Sequence, residues 1–106
     1  MNERNDYVTA LRRAVAMQKD QGDPLGMIAF ERSELAIAVI ASMCGRNIRQ
    51  ILREKSKSDP DPDVLKELHE KGSLYRKEKE AVYRGNIEVQ KRVIRDYAPI
   101  LKNENK

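Results

Sequence analysis

The sequence has no tryptophan and only one phenylalanine, one cysteine and one histidine among its 106 residues. A single cysteine, Cys44, excludes an internal disulfide and suits a reducing compartment, so we expect a cytoplasmic protein. His69 has no second histidine or cysteine at ligand spacing. Glycine-rich phosphate loops, G-x-S-x-G and H-E-x-x-H are also missing. These absences predict a protein that is not an enzyme and that carries no metal or cofactor.

Long hydrophobic runs are missing as well. The longest uncharged apolar run, Leu35 to Cys44, is half of the roughly 20 residues that span a bilayer. Residues 1–10 carry Glu3, Arg4 and Asp6 and have no apolar core, which is unlike a signal peptide. We therefore expect a soluble protein that makes no contact with membranes.

The residues that are present favour α-helix throughout. Hydrophobic residues make up 40% of the chain and charged residues 36%, and most positions hold straight-chain helix formers. No run of alternating β-branched residues predicts a strand. We expect an all-α bundle of three to four helices with one long central helix. It would form a single domain over residues 1–102, followed by a frayed tail at 103–106.

Capping residues and breakers set the helix boundaries. The pattern predicts helices at about residues 6–21, 27–55, 62–84 and 87–98. The sequence predicts Asp61 as an N-cap with Pro62 at the first helical position, and Gly85 with Asn86 predicts a C-cap followed by a new N-cap. Pro99 predicts the end of the last helix near Ala98.

The second predicted helix, about residues 27–55, has two apolar stripes that lie nearly opposite each other. At about 100° per residue, one stripe contains Phe30, Ile37, Ile40, Ala41, Cys44, Ile48, Ile51 and Leu52. The other stripe contains Ile28, Leu35, Val39 and Met43. Because the third predicted helix has a thin apolar seam, the chain itself would leave one stripe uncovered. We therefore expect this helix to pair with its own copy in a two-fold homodimer, unless it breaks at Gly45.

A basic cluster continues the second stripe. Arg46, Arg49 and Arg53 lie within about 60° of one another on a helix. Apolar anchors followed by arginines on one face are typical of protein interfaces, and the guanidinium group suits carboxylate or phosphate partners. A solvated charged face is the simpler interpretation. The sequence favours a regulatory or adaptor protein that binds a larger protein partner. The predicted partner-binding residues are Leu35, Val39, Met43, Arg46, Arg49 and Arg53.

An alternative function for the same segment is nucleic-acid binding. Ala41, Gly45 and Ile51 match the small, glycine and apolar positions of a helix-turn-helix motif, whereas Arg46 and Glu54 stand where that motif has apolar residues. The chain's net charge of +4 permits DNA binding without requiring it. The candidate nucleic-acid contacts are Arg46, Asn47, Arg49, Gln50, Arg53, Lys55 and Lys57.

The acidic run that precedes the third predicted helix resembles a calcium loop. Asp59, Asp61, Asp63, Glu67 and Glu70 match five of its ligand positions. Proline at residues 60 and 62 and valine at the glycine position argue against calcium binding, and acidic residues at a helix start also complement the helix dipole.

We also expect Cys44 to be a buried apolar residue and His69 to lie on the surface.

Overall fold

In a computed structural model, residues 26–104 are described and contain three α-helices and no strand. The helices are α1 (Met27–Lys55), α2 (Pro62–Tyr83) and α3 (Ile87–Glu104). The predicted all-α bundle is therefore confirmed. The predicted helix at residues 6–21 lies outside the described residues.

Helix α1 continues through Gly45 without a break, and its 29 residues give a length of about 43 Å. Gly26 precedes it with a φ of 68°, a left-handed conformation that glycine adopts without steric cost. Arg53 and Lys55 lie in the last turn, where positive charge complements the negative end of the helix dipole.

The connection between α1 and α2 is held by two carboxylates. The Asp61 side chain caps α2 by accepting hydrogen bonds from the backbone N–H groups of Asp63 (2.9 Å) and Val64 (3.4 Å), with Pro62 at the first helical position. This cap confirms the sequence prediction. The buried Glu54 carboxylate accepts hydrogen bonds from the Asp61 N–H at 2.9 Å and the Lys57 Nζ at 2.8 Å. Glu54 thereby ties the end of α1 to the start of α2.

The connection between α2 and α3 also follows its sequence signal. Gly85 has a φ of 85°, and the Asn86 N–H donates to the Ala81 carbonyl, which closes the end of α2. The Asn86 side chain then accepts a hydrogen bond from the Val89 N–H at 3.1 Å. The predicted end of the last helix near Ala98 is wrong, because Pro99 lies inside α3, which continues to Glu104. Asn103 and Glu104, assigned to the tail from the sequence, are helical.

The three helices run up, down and up. Asn47 of α1 contacts Leu68 of α2, and Ser33 near the start of α1 contacts Gln90 near the start of α3. The Arg46–Glu104 ion pair joins α1 to the end of α3. Helix α1 therefore packs antiparallel to α2 and parallel to α3, with both neighbours on the same side.

The buried side of α1 is centred between the two apolar stripes of the sequence. Its middle residues recur with a spacing of three and four, and they include small and polar side chains. These residues are Ala29, Ser33, Ala36, Ile40, Met43, Asn47 and Glu54. The inner edges of both stripes are buried with them, whereas outer residues such as Ile28 (62% exposed) and Leu52 (60% exposed) face solvent.

For half of the second stripe, this arrangement corrects the expectation that another chain must cover it, whereas Ile28 and Leu35 remain exposed. Val39 (6% exposed) and Met43 (1% exposed) belong to the core cluster that also contains Tyr75 of α2 and Val93 of α3. One chain buries them because two helices, rather than one, pack on α1.

Candidate functional site

Three arginines in the C-terminal part of α1 border a surface cleft. It has a volume of about 350 Å³ and is lined by Arg46, Arg49, Gln50, Arg53 and Glu104. Four of these residues come from the last three turns of α1, and Glu104 comes from the end of α3. The parallel packing of α1 and α3 places the end of α3 beside Arg46. The cleft therefore depends on the tertiary fold, although its arginines share a face by helical periodicity alone.

One carboxylate already occupies the cleft. The Glu104 carboxylate accepts a hydrogen bond from the Arg46 Nε and forms an ion pair with it, with side chains 42% and 26% exposed. Glu104 is the last residue of α3, where the negative end of the helix dipole disfavours a carboxylate. The Arg46 guanidinium offsets that repulsion. The contact shows that the cleft accommodates an oxyanion beside Arg46.

The positive charges of the other two arginines of the cleft are not neutralised by a described carboxylate. Arg49 and Arg53 are exposed, and neither forms an ion pair within the part of the chain that the structure describes. Arg53 lies in the last turn of α1 and also complements the helix dipole. Arg46 and Arg49 lie further from the helix end, where the dipole has little effect. Three guanidinium groups against one carboxylate leave the cleft with a formal excess of two positive charges.

The predicted partner-binding residues are divided between surface and core. Arg46, Arg49 and Arg53 line the cleft, and Leu35 is 49% exposed on the same side of α1. Val39 and Met43 lie in the core and present no surface to a partner. The apolar portion of the predicted binding face is therefore reduced to Leu35.

The helix-turn-helix interpretation is wrong in its geometry. That motif needs a turn at Gly45, and α1 passes through this residue as continuous α-helix. Asn47, a candidate base contact, is 3% exposed, and its Nδ2 donates to the Leu68 carbonyl at 2.8 Å. The remaining candidate contacts with nucleic acid stay on the surface or in the cleft. They are Arg46, Arg49, Gln50, Arg53, Lys55 and Lys57.

Sequence reasoning missed Glu104, which it assigned to a frayed tail. One signal could have found it: Ile100 and Leu101 continue the apolar periodicity of α3 beyond Pro99. The meeting of Glu104 with Arg46 could not be read from the sequence.

Cys44, His69 and the other potential metal-binding side chains form no metal site within residues 26–104. Cys44 is half-buried rather than fully buried, and desolvation raises the pKa of its thiol, an effect that Lys79 and Arg76 partly oppose. His69 is exposed, as predicted. Among residues 26–104, no group of three or more His, Cys, Asp or Glu side chains is arranged to hold a metal ion. No helix in this range combines the length and apolar character that crossing a membrane requires.

Comparison with known proteins does not assign this arrangement to a family. The sequence matches no protein-family model, and no curated protein or solved structure is significantly similar to it.

Proposed function

We propose that this chain is a non-enzymatic regulatory or adaptor protein that binds an acidic segment of a larger protein in the Arg46–Arg49–Arg53 cleft. The observation that carries the proposal is the carboxylate of Glu104 held by Arg46 beside two arginines without acidic partners among the described residues. The chain's single cysteine fits action in the reducing cytoplasm.

The chemistry of the cleft supports binding rather than catalysis. Guanidinium groups remain protonated at all physiological pH values, so they supply fixed positive charge and forked hydrogen-bond donors, not proton transfer. An acidic peptide would contact Arg49 and Arg53 directly, and a second acidic residue would compete with Glu104 for Arg46. The exposed Leu35 lies about 16 Å from Arg46 along α1, within reach of an apolar residue of the same partner.

Binding of a fluorescein-labelled decapeptide of glutamate to the full chain tests this proposal by fluorescence anisotropy. We expect saturable binding that weakens about tenfold or more in the Arg49→Ala/Arg53→Ala variant, because two charge-assisted contacts are lost. The matched control is Lys66→Ala/Lys77→Ala, which removes the same charge from exposed positions of α2. Equal weakening by both variants would show attraction by net charge alone and would contradict a specific cleft.

The same anisotropy assay tests the nucleic-acid alternative. A labelled DNA duplex replaces the peptide, and salt is raised from about 50 to about 200 mM. A protein that neutralises six phosphates loses about a thousandfold in affinity over this range. Tight, salt-sensitive DNA binding without peptide binding would replace the protein-binding proposal with the alternative.

A further inference from the structure

Helix α1 carries a second seam on its solvent side. Residues spaced alternately by four and three, which is the heptad spacing of a coiled coil, follow this side from the first turn to the last. They are Met27, Glu31, Glu34, Ala38, Ala41, Gly45, Ile48 and Leu52. Met27, Ile48 and Leu52 are 55%, 56% and 60% exposed, so three large apolar side chains of this seam face solvent. Phe30, at its edge, is 38% exposed.

The seams of two copies of α1 are complementary in size when the helices pack antiparallel. An antiparallel copy centred between residues 39 and 40 brings Met27 opposite Leu52 and Ala38 opposite Ala41. Phe30 and Ile48 share one angular position on the helix, at about 100° per residue, and the same reversal places them side by side. The large apolar residues therefore meet at both ends, and the small alanines meet at the centre, where the two helices approach each other closely.

The antiparallel arrangement also pairs the charged residues of the seam. Glu31 and Arg49 occupy the same angular position on α1, on the opposite flank from Phe30 and Ile48, and the reversal pairs them across the two copies. Glu34 falls opposite Gly45. A Cβ atom built on Gly45 would lie 3.3 Å from the Arg49 Nη1, which shows that the Arg49 guanidinium lies over this glycine. Both glutamates of one copy thus reach Arg49 of the other.

These charges are available for such pairing. Glu31, Glu34 and Arg49 are exposed, and none of them forms an ion pair with another described residue. A parallel arrangement would instead place Glu34 beside Glu34 across the axis, which is repulsive. The antiparallel arrangement forms each glutamate–arginine contact twice in the pair, because a two-fold axis repeats every contact.

We propose that the seam from Met27 to Leu52 is a self-association surface, on which a second copy of this chain packs antiparallel to α1 about a two-fold axis between Ala38 and Ala41. This inference shares Arg49 with the proposed function, since Arg49 would pair with Glu31 and Glu34 of the second copy. Arg46 and Arg53 lie further round α1, beside α3, and remain accessible in the pair. The pair would present two arginine clefts on the same flank, suited to a partner with two acidic segments.

The mass of the full chain in solution, measured by sedimentation equilibrium, tests the pairing. We expect a dimer of twice 12.2 kDa. Leu52→Glu is expected to raise the dimer dissociation constant by about a hundredfold, because symmetry places the substitution at both ends of the interface. The matched control is Leu74→Glu, at a position 51% exposed on α2, which should leave the mass unchanged.

Charge reversal tests the orientation. Glu31→Arg/Glu34→Arg alone and Arg49→Glu alone should each be monomeric, because each faces like charge across the axis. An equimolar mixture of the two variants should recover a heterodimer, which fluorescence energy transfer between differently labelled chains detects. Circular dichroism of each variant establishes that the helices remain folded.

Three results would overturn the proposal. A wild-type chain that stays monomeric at millimolar concentration excludes self-association; if Leu52→Glu then lowers its melting temperature, another segment of the same chain covers the seam. A dimer that both Leu52→Glu and Leu74→Glu leave intact uses a different surface. A variant mixture that remains monomeric excludes the antiparallel orientation. Because Arg49 takes part in both proposals, the single variant Arg53→Ala keeps the glutamate-peptide experiment separate from these results: it removes a cleft arginine that the pairing does not use.

Discussion

Gly72 of α2 lies so close to Asn47 of α1 that a Cβ atom on the glycine would be 2.6 Å from the Asn47 Oδ1. The Asn47 Nδ2 donates to the Leu68 carbonyl at 2.8 Å, one turn earlier on α2. The glycine therefore makes room for a buried side chain that binds the backbone of the opposing helix. This contact fixes the crossing of α1 and α2 near the arginine cleft.

Gly72→Ala should destabilise the protein by about 1–2 kcal/mol, because overpacking at the crossing outweighs the better helix propensity of alanine. In an Asn47→Ala background the same substitution should become neutral or stabilising by up to about 1 kcal/mol, since the clashing atom is gone. Urea unfolding of the wild type, the two single variants and the double variant measures the free energy of unfolding, and the effect of Gly72→Ala should change sign between the two backgrounds. A Gly72→Ala effect that is the same in both backgrounds would contradict the proposed contact.

Glu54→Gln should lower the melting temperature at neutral pH and have a vanishing effect in acid. Hydrogen bonds from the Asp61 N–H and the Lys57 side chain lower the pKa of the Glu54 carboxyl below its ordinary value of 4.5. A lowered pKa in the folded state stabilises the protein above the unfolded-state pKa, and this stabilisation is lost as the pH falls through the folded-state value. Melting curves of both proteins between about pH 2 and pH 7 should therefore converge at the acid end. A difference in melting temperature between the two proteins that is the same at every pH would show that the Glu54 charge does not contribute to stability.

Tyr97→Phe should destabilise the protein by about 1–2 kcal/mol, because the Tyr97 hydroxyl donates to the buried Glu78 carboxylate at 2.6 Å. Arg92 remains as the second partner of that carboxylate at 3.1 Å. Burial and the Glu78 carboxylate raise the pKa of the Tyr97 phenol. The stabilisation is accordingly present below the pKa of a free tyrosine and is lost as the pH rises through the folded-state value. Ultraviolet titration of tyrosinate should show one late-ionising group in the wild type that is missing from the variant.

Gln90→Met should cost about 2–3 kcal/mol although it preserves side-chain volume. Gln90 is fully buried, and its Nε2 donates to the Ser33 Oγ at 3.3 Å and the Val82 carbonyl at 3.2 Å, while its Oε1 accepts from the Arg32 Nε at 3.2 Å. Methionine removes this partner from the Ser33 hydroxyl and the Arg32 Nε, whereas the Val82 carbonyl still accepts from the Gly85 N–H at 3.0 Å. Lys91→Met, at the neighbouring exposed position, is the control and should change the free energy of unfolding by less than about 0.5 kcal/mol. Chemical denaturation measures the free energy of unfolding of each variant against the wild type. A Gln90→Met variant as stable as the Lys91→Met control would show that the buried Gln90 amide is not needed.

The helix boundaries were largely predictable because their signals are local. The Asp61–Pro62 cap and the Gly85–Asn86 junction need only neighbouring residues, and both form as expected. Pro99 gave a wrong boundary because a proline ordinarily ends or kinks a helix, whereas α3 continues beyond it and Leu101 packs against the core.

The buried face of α1 was not predictable from apolar periodicity. The two stripes suggested two separate contacts, whereas α2 and α3 pack together on the side between them. That side contains Ser33, Asn47 and Glu54, polar residues which a hydrophobicity pattern assigns to solvent. Their burial is tolerated because Gln90, the Leu68 carbonyl and the Asp61 N–H supply hydrogen bonds. Those partners become neighbours only in the folded chain.

The sequence by itself determined that the chain is helical, where α1 and α2 begin and end, and that Arg46, Arg49 and Arg53 share one face, because capping and helical periodicity act over a few residues. Only the tertiary structure decided that Val39 and Met43 are core residues and that Glu104 lies against Arg46. Those outcomes depend on which helices pack together and in which direction, and residues more than fifty positions apart in the chain meet only when that packing is complete.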